Sequence, residues 1–413
     1  MTGWTLSIAV AVLASPHAEL AHAGDSFREP IRAIRAVGPD GKGAREAALA
    51  WRELASADVS QLPILLAGMD GASALSRNWL RSAMDDLLVR ARRDGKPLPV
   101  ADLETFLHNK GHDPQARRFA FELIVETDKT AADRLLPGMI DDPSPELRFD
   151  AVARVIDQAE KADLSEKKEE SGRLFRQALA SARDKEQISK IARRLKDLGQ
   201  PVDLAAHLGL ITTWKLVGPF PNPKKQGIDN AYPPERSVDL SAAYDGDTGK
   251  VRWKDCTTKQ QYGIVDLNSE IGPRPTGVAY ALSDFMSAAE KEVDIRIGCF
   301  TPFKLWVNGE LVLARGDAYT GMSLDHYVAK AHLKPGKNTL LLKIAKDEPP
   351  PGSPKDWRFQ LRVSDASGAG ILSAERNGQE RKTGRQGDRE KGRQGDTETR
   401  ACKGSDAEEE VRQ

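Results

Sequence analysis

Apolar residues recur at helical intervals through the first half of the chain and at alternate positions through most of the second. In residues 146–159 one stripe holds Leu147, Ala151, Val152, Val155 and Ile156, and the opposite face carries Arg148, Asp150, Arg154 and Asp157. That spacing predicts an amphipathic helix, and similar stripes run from about residue 27 to 207. Asp142-Pro143-Ser144-Pro145 ahead of one stripe, and Asp113-Pro114 ahead of another, are helix starts: a capping side chain, then a proline where no backbone N–H is needed.

From Pro201 the period changes to two. Residues 214–220, 251–253, 278–282, 293–297, 305–307, 311–313, 339–344 and 357–363 read as short strands separated by turn residues. In KLWVNGELVLARGD, residues 304–317, Leu305 and Val307 face one way and Trp306 the other. Asn308-Gly309 between the two runs suits the positive φ values of a tight hairpin turn. The expected architecture is a multidomain chain, α then β: a helical-repeat array followed by a two-sheet antiparallel β-sandwich of jelly-roll type.

The helical half is self-similar. Asp113-Pro114 followed by Arg118-Phe119 echoes Asp142-Pro143 followed by Arg148-Phe149, and Leu65-Leu66-Ala67-Gly68-Met69 echoes Leu135-Leu136-Pro137-Gly138-Met139. Arg45 and Arg77, and Arg118 and Arg148, each sit near the start of a striped helix. These turns and arginines resemble HEAT-like repeats, in which pairs of helices bury their apolar faces only against neighbouring pairs. Such an array offers a concave surface to a protein partner or serves as a rigid spacer. The arginines are expected to tie adjacent repeats together through neighbouring carboxylates. His108 and His112 have the spacing of a helical metal pair but fall at a helix end with no third ligand evident, and are expected at the surface.

Composition narrows the classes. The 413 residues carry 61 basic and 61 acidic side chains, so nothing overall invites nucleic acid. Cys256, Cys299 and Cys402 are too few for a disulfide framework, and a Cys256–Cys299 bridge is not expected. The apolar run at residues 6–13 is too short to span a bilayer, and with Ala21-His22-Ala23 it has the pattern of a signal peptide cleaved before Gly24. Export to the periplasm or cell surface is the expectation, with no transmembrane segment after cleavage. Residues 374–413 hold 10 basic and 10 acidic residues, a repeated Gly-Arg-Gln-Gly-Asp and Val411 as the one large aliphatic, a composition that predicts disorder. The expected domains are 1–23 signal peptide, 24–207 helical repeats, 208–373 sandwich and 374–413 tail.

Several signatures in the second half are similar to one family: residues 214–222 (WKLVGPFPN), Tyr232-Pro233-Pro234-Glu235, residues 306–309 (WVNG), Asp325-His326-Tyr327 and residues 333–343 (LKPGKNTLLLK). Together they resemble the galactose-binding-like jelly rolls, and especially the sugar-binding domain of family 2 glycoside hydrolases. The opening signature resembles that of large exported planctomycete proteins, where such a domain follows helical repeats. The resemblance spans about residues 210–371. It implies an accessory domain, since the catalytic carboxylates of those glycosidases lie in a separate barrel, and a fold that often carries structural calcium.

Candidate chemistry is sparse. Trp306 is the ring on which a sugar would stack, with Asn308, Asp317, Tyr319, Asp325, His326 and Tyr327 near it in sequence to supply hydrogen bonds. The alternative is that Trp306 packs beneath a crossing loop or the helical array. Trp214 and Phe220 are expected in the core. Asp245-Gly246-Asp247-Thr248-Gly249 lacks the later bidentate Glu of a calcium loop and reads as a hairpin turn. Nucleophile-elbow, zinc-helix and phosphate-loop motifs are missing. The expected function is therefore that of an exported non-enzymatic binding protein, holding glycan through the sandwich, protein through the array, or both, without a cofactor. The alternatives are an accessory subunit or remnant of a larger hydrolase or oxidoreductase whose catalytic domain lies on another chain, and an architectural spacer.

Overall fold

A computed structural model describes residues 16–316, 322–348 and 356–374, with side chains from Ser26 onward. The run at residues 6–13, Asp317 and Tyr319, Cys402 and nearly all of the expected tail lie outside the described residues. The chain divides into two compact units, Met1–Arg194 and Leu195–Gln413.

The first unit is built of helix pairs: α1 (Pro16–Arg35) with α2 (Ala44–Ala55), α3 (Leu62–Ala67) with α4 (Ala74–Arg93), α5 (Val100–His108) with α6 (Pro114–Thr127), α7 (Ala131–Leu135) with α8 (Pro145–Leu164), and α9 (Lys168–Ser181) with α10 (Lys185–Asp197). Ala21-His22-Ala23 lies within α1. The second helices begin at residues 44, 74, 114, 145 and 185, at uneven intervals of 30, 40, 31 and 40. Their starts are capped from the side chain by Ser73, Asp113 and Ser144, the last two followed by proline. Leu54, Leu62, Leu80, Leu107, Ile124 and Leu147 are fully or almost fully buried in one continuous core.

Three residues into three of these helices stands an arginine: Arg77, Arg117 and Arg148. Arg117, not the expected Arg118, holds the position equivalent to the other two. It is buried, and it grips buried Asp142 through both terminal nitrogens at 2.6 and 2.8 Å while its Nε donates to the Leu107 carbonyl at 2.8 Å. Asp142 thus serves the neighbouring repeat rather than capping its own helix. Arg77 does the same more loosely, reaching Asp113 at 3.5 Å and Gln115 at 3.1 Å. His112 is half-buried rather than at the surface: it stacks on Phe106 with ring centroids 4.0 Å apart, and its Nδ1 lies 2.7 Å from Asp70 of the preceding repeat. His108 is exposed.

In the second unit, α11 (Leu204–His207) leads to β1 (Thr213–Phe220), α12 (Pro233–Arg236), β2 (Ala243–Asp245), β3 (Lys250–Arg252), β4 (Lys254–Thr257), β5 (Val265–Asp266), α13 (Leu267–Ile271), β6 (Gly277–Ser287), β7 (Lys291–Cys299), β8 (Phe303–Val307), β9 (Glu310–Arg315), β10 (Tyr327–Leu333), β11 (Gly336–Lys346) and β12 (Arg358–Ser364). A six-stranded sheet ordered β4-β1-β6-β11-β8-β9 faces a four-stranded sheet ordered β10-β7-β12-β5, and neighbouring strands run antiparallel. The chain is a helical array followed by an antiparallel sandwich. Trp214, Leu216, Ile295, Phe303, Leu342 and Phe359 fill the space between the sheets, with Trp214 edge-on to Phe359 at 5.1 Å.

Strict alternation fails in β1. Its register slips between Val217 and Phe220, and Gly218 at φ 146° lies so close to β6 that a Cβ would meet the Val278 carbonyl oxygen at 2.9 Å. The bulge turns Phe220 away from Trp214. Phe220 instead joins Val217, Val278, Tyr280, Leu282 and Leu341 on the outer face of the six-stranded sheet, under a strap formed by residues 221–253. The strap contributes buried Ile228 and Tyr244, and its β2–β3 hairpin contains the expected turn: the Gly246 amide donates to the Gly249 carbonyl at 2.8 Å. Cys256 and Cys299 are buried free thiols.

Candidate functional site

Of the residues expected to form a sugar site, those described occupy separate surfaces. Trp306 is partly buried at the edge of the strap's apolar layer, on the outer face of the six-stranded sheet. Asn308 and Gly309, at φ 53° and 84°, make the tight hairpin turn. The Asn308 side chain is committed within it: Nδ2 donates to Asn338 at 2.8 Å and Oδ1 accepts from the Thr339 amide at 3.0 Å. Asn338 is fully buried and donates in turn to the carbonyls of Phe285, Lys334 and Gly336, so two asparagines lock the turn before β11 to the hairpin.

Asp325 lies against the opposite sheet. Its carboxylate receives both Nε and a terminal nitrogen of Arg362, at 2.6 and 2.5 Å, and Arg296 at 3.3 Å. Those arginines alternate with the inward-facing Leu361 and Ile297, so they and Asp325 belong to the outer face of the four-stranded sheet. Arg362 also donates to the carbonyls of Leu208 and Gly368. Tyr327 packs inward against Phe303, with His326 beside it at 4.4 Å between centroids. Trp306 and Asp325 therefore stand on the two outer faces of the sandwich.

Under the strap, Lys343 is fully buried. Its ammonium donates to the Asn230 carbonyl at 2.7 Å and to Glu235 at 2.6 Å, and the rings of Tyr232 and Tyr280 lie 5.4 and 5.7 Å away. Tyr280 donates its hydroxyl to the same Glu235 oxygen. Burial pushes the ammonium below its ordinary value against the pull of Glu235, and burial with that carboxylate pushes the Tyr280 phenol up. Every polar atom named here is engaged within the fold, and the group pins the strap to the sheet.

Among the described residues, two concave surfaces stand out. One is a cleft of about 760 Å³ in the sandwich, where Val238 and Leu240 of the strap stand exposed near Thr213, Ser283 and the paired Lys215 and Asp255. The other, in the first unit, is a groove of about 820 Å³ across α4, α6, α8 and the start of α10. Successive helices are tied along it: Arg77 to Gln115, Arg118 to Asp150, and Gln187 to the Phe149 carbonyl. Two of the arginines expected to bridge repeats, Arg77 and Arg118, do so, and both also line the groove. Arg148 is buried and donates to the Asp142 carbonyl of its own turn at 3.1 Å, and Arg45 is exposed on α2. Arg81, which the repeat pattern did not mark, lays its guanidinium on the Phe119 ring, 3.4 Å from the centroid. Phe149 lines the groove with 44% of its surface exposed.

No protein-family model matches the chain, and no curated protein matches it. Solved structures with partial likeness include a β-glucosidase from Kluyveromyces marxianus, at 12% identity over 42% of this chain and TM-score 0.25. They also include the PA14 domain of the MpAFP antifreeze protein, at 13% identity over 40% of this chain and 87% of that domain, TM-score 0.25. A family 35 carbohydrate-binding module from Clostridium thermocellum is a third, at 17% identity over 20% of this chain and 69% of that module, TM-score 0.16. The chain spans 21% of the β-glucosidase's length.

Proposed function

We propose that this chain is an exported, non-enzymatic binding protein that holds an extended segment of a protein partner in the groove across α4, α6, α8 and α10. One observation carries the reading: a large aromatic side chain, Phe149, stands half exposed in a concavity whose polar walls are already fixed by repeat-to-repeat hydrogen bonds. A fixed wall costs little ordering when a ligand arrives, and an exposed ring offers apolar area to bury. Export is supported by the apolar run at residues 6–13 with Ala21-His22-Ala23 after it, and N-terminal sequencing of the mature protein tests it.

The groove is tested by panning a random peptide display library on the full chain. Enriched peptides should lose at least about tenfold in affinity on Phe149→Ala, which removes on the order of 1.4 kcal/mol or more of contact, with the thermal midpoint unchanged. No enrichment, or binding indifferent to Phe149→Ala, refutes the reading.

A second reading, glycan binding by the sandwich, is favoured by the open cleft of about 760 Å³, whose exposed Thr213 and Lys215–Asp255 pair would meet sugar hydroxyls. Calorimetry of the full chain against a panel of oligosaccharides, with and without calcium, tests it; absence of heat across the panel removes it.

A further inference from the structure

The groove differs from one end to the other. At α4 it is lined by Arg77, Asn78 and Arg81, and at α8 by Glu146, Phe149 and Asp150 together with buried Arg148. Between them Arg118 is occupied on both sides, by Glu122 of its own helix and by Asp150. Arg77 is likewise spent on Gln115, the Ala72 carbonyl and Asp113. Arg81 is held differently. Its Nε donates to Asp85 at 3.1 Å and its plane is stacked on Phe119, while among the described residues no partner takes its terminal nitrogens. Its side chain is 44% exposed. Stacking and the Nε bond fix the plane of the fork, and a fixed fork is matched by a carboxylate accepting two parallel N–H bonds. The carboxylate that lines this part of the groove, Glu122, is already paired with Arg118, and Asp85 takes only the Arg81 Nε.

Resting on the groove reading above, we propose that the partner segment is acidic: one of its carboxylates sits bidentate on the Arg81 fork, and an apolar side chain further along the segment covers Phe149. The segment then lies in one direction, its carboxylate towards α4 and its apolar side chain towards α8.

The test uses three fluorescein-labelled pools of 12-residue peptides and the full chain, read by fluorescence polarisation at low and high salt. The first pool carries Asp or Glu at randomised positions together with one Leu or Trp, the second replaces each Asp and Glu by Asn and Gln, and the third replaces them by Lys. The acidic pool should bind at least about tenfold more tightly than the amide pool, as expected for a charge-assisted pair of hydrogen bonds. That advantage should shrink in high salt and vanish on Arg81→Gln, with the circular dichroism spectrum retained, while Phe149→Ala weakens the acidic and amide pools alike. Equal binding of the acidic and amide pools, lost on Phe149→Ala, overturns the acidic partner and leaves the groove standing. Acidic binding untouched by both substitutions places the site elsewhere and removes both, as does failure of every pool to bind.

Discussion

Asp142 shows how much one side chain can decide. With Arg117 it forms a buried bidentate pair, and one of its oxygens also accepts the Ser144 amide at 2.9 Å. Arg117→Ala would leave that carboxylate buried without its cation and should cost about 3–5 kcal/mol, measured by urea denaturation. The position was half legible: an arginine after an Asp-Pro turn was visible, but Arg117 and Arg118 are neighbours and only helix phase says which one turns inward. Cys299 is a second case. Burial pushes its thiol up to about 12 from an ordinary value near 9. A raised pKa means that the folded state keeps the proton longer than the unfolded chain. The associated stability is therefore complete below pH 9 and is lost as pH climbs towards 12, up to about 4 kcal/mol. Calorimetric midpoints above pH 9 should fall less steeply for Cys299→Ala than for the parent, although the variant starts lower at neutral pH.

Among the elements, β1 and the strap explain why the sandwich was easier to foresee than its faces. Alternation placed Trp214 and Phe220 together, and a bulge at Gly218-Pro219 separates them. Nothing in the spacing of apolar residues marks an inserted bulge, though a Gly-Pro inside a strand is the signal that was there to use. Strand β10 was missed because its small alanines alternate with Val328, Lys330 and His332 and form no strong apolar row. Tyr232-Pro233-Pro234-Glu235, one of the signatures read in the sequence, is the entry to the short helix that brings Glu235 to Lys343. That pairing predicts a cycle. Glu235→Ala leaves a buried ammonium with only the Asn230 carbonyl and should cost about 3–5 kcal/mol. Lys343→Met should cost less, and the double variant should recover much of the loss of Glu235→Ala, as chemical denaturation of the four proteins would show.

Across the whole molecule, the helical and β units each have a core of their own, and the division falls at residues 194 and 195. Two cooperative transitions are expected on heating, with Arg117→Ala lowering one and Glu235→Ala the other. A single transition shifted by both substitutions would contradict this. At this scale the order helices-then-sheets could be read from periodicity, because period 3.6 and period 2 are the strongest signals a chain carries. The expected sugar cluster was not readable in the same way: Trp306 and Asp325 are close in sequence, but β8 belongs to the six-stranded sheet and the turn before β10 to the four-stranded one, so they stand on opposite outer faces. The groove residues Arg81 and Phe149 are 68 positions apart and become one surface only when helices stack.

The strap has a further consequence for solubility. Because residues 221–253 cover part of the outer face of β6 and β11, Val278, Tyr280, Leu282 and Leu341 stand there around the paired Lys343, where an ordinary antiparallel sheet would carry a solvated polar row. A protease nick that released this segment would bare Phe220, Tyr280, Leu282 and Leu341 on a flat, hydrogen-bonded platform. Such a platform recruits other chains, so the clipped protein should precipitate while its inner core is still folded.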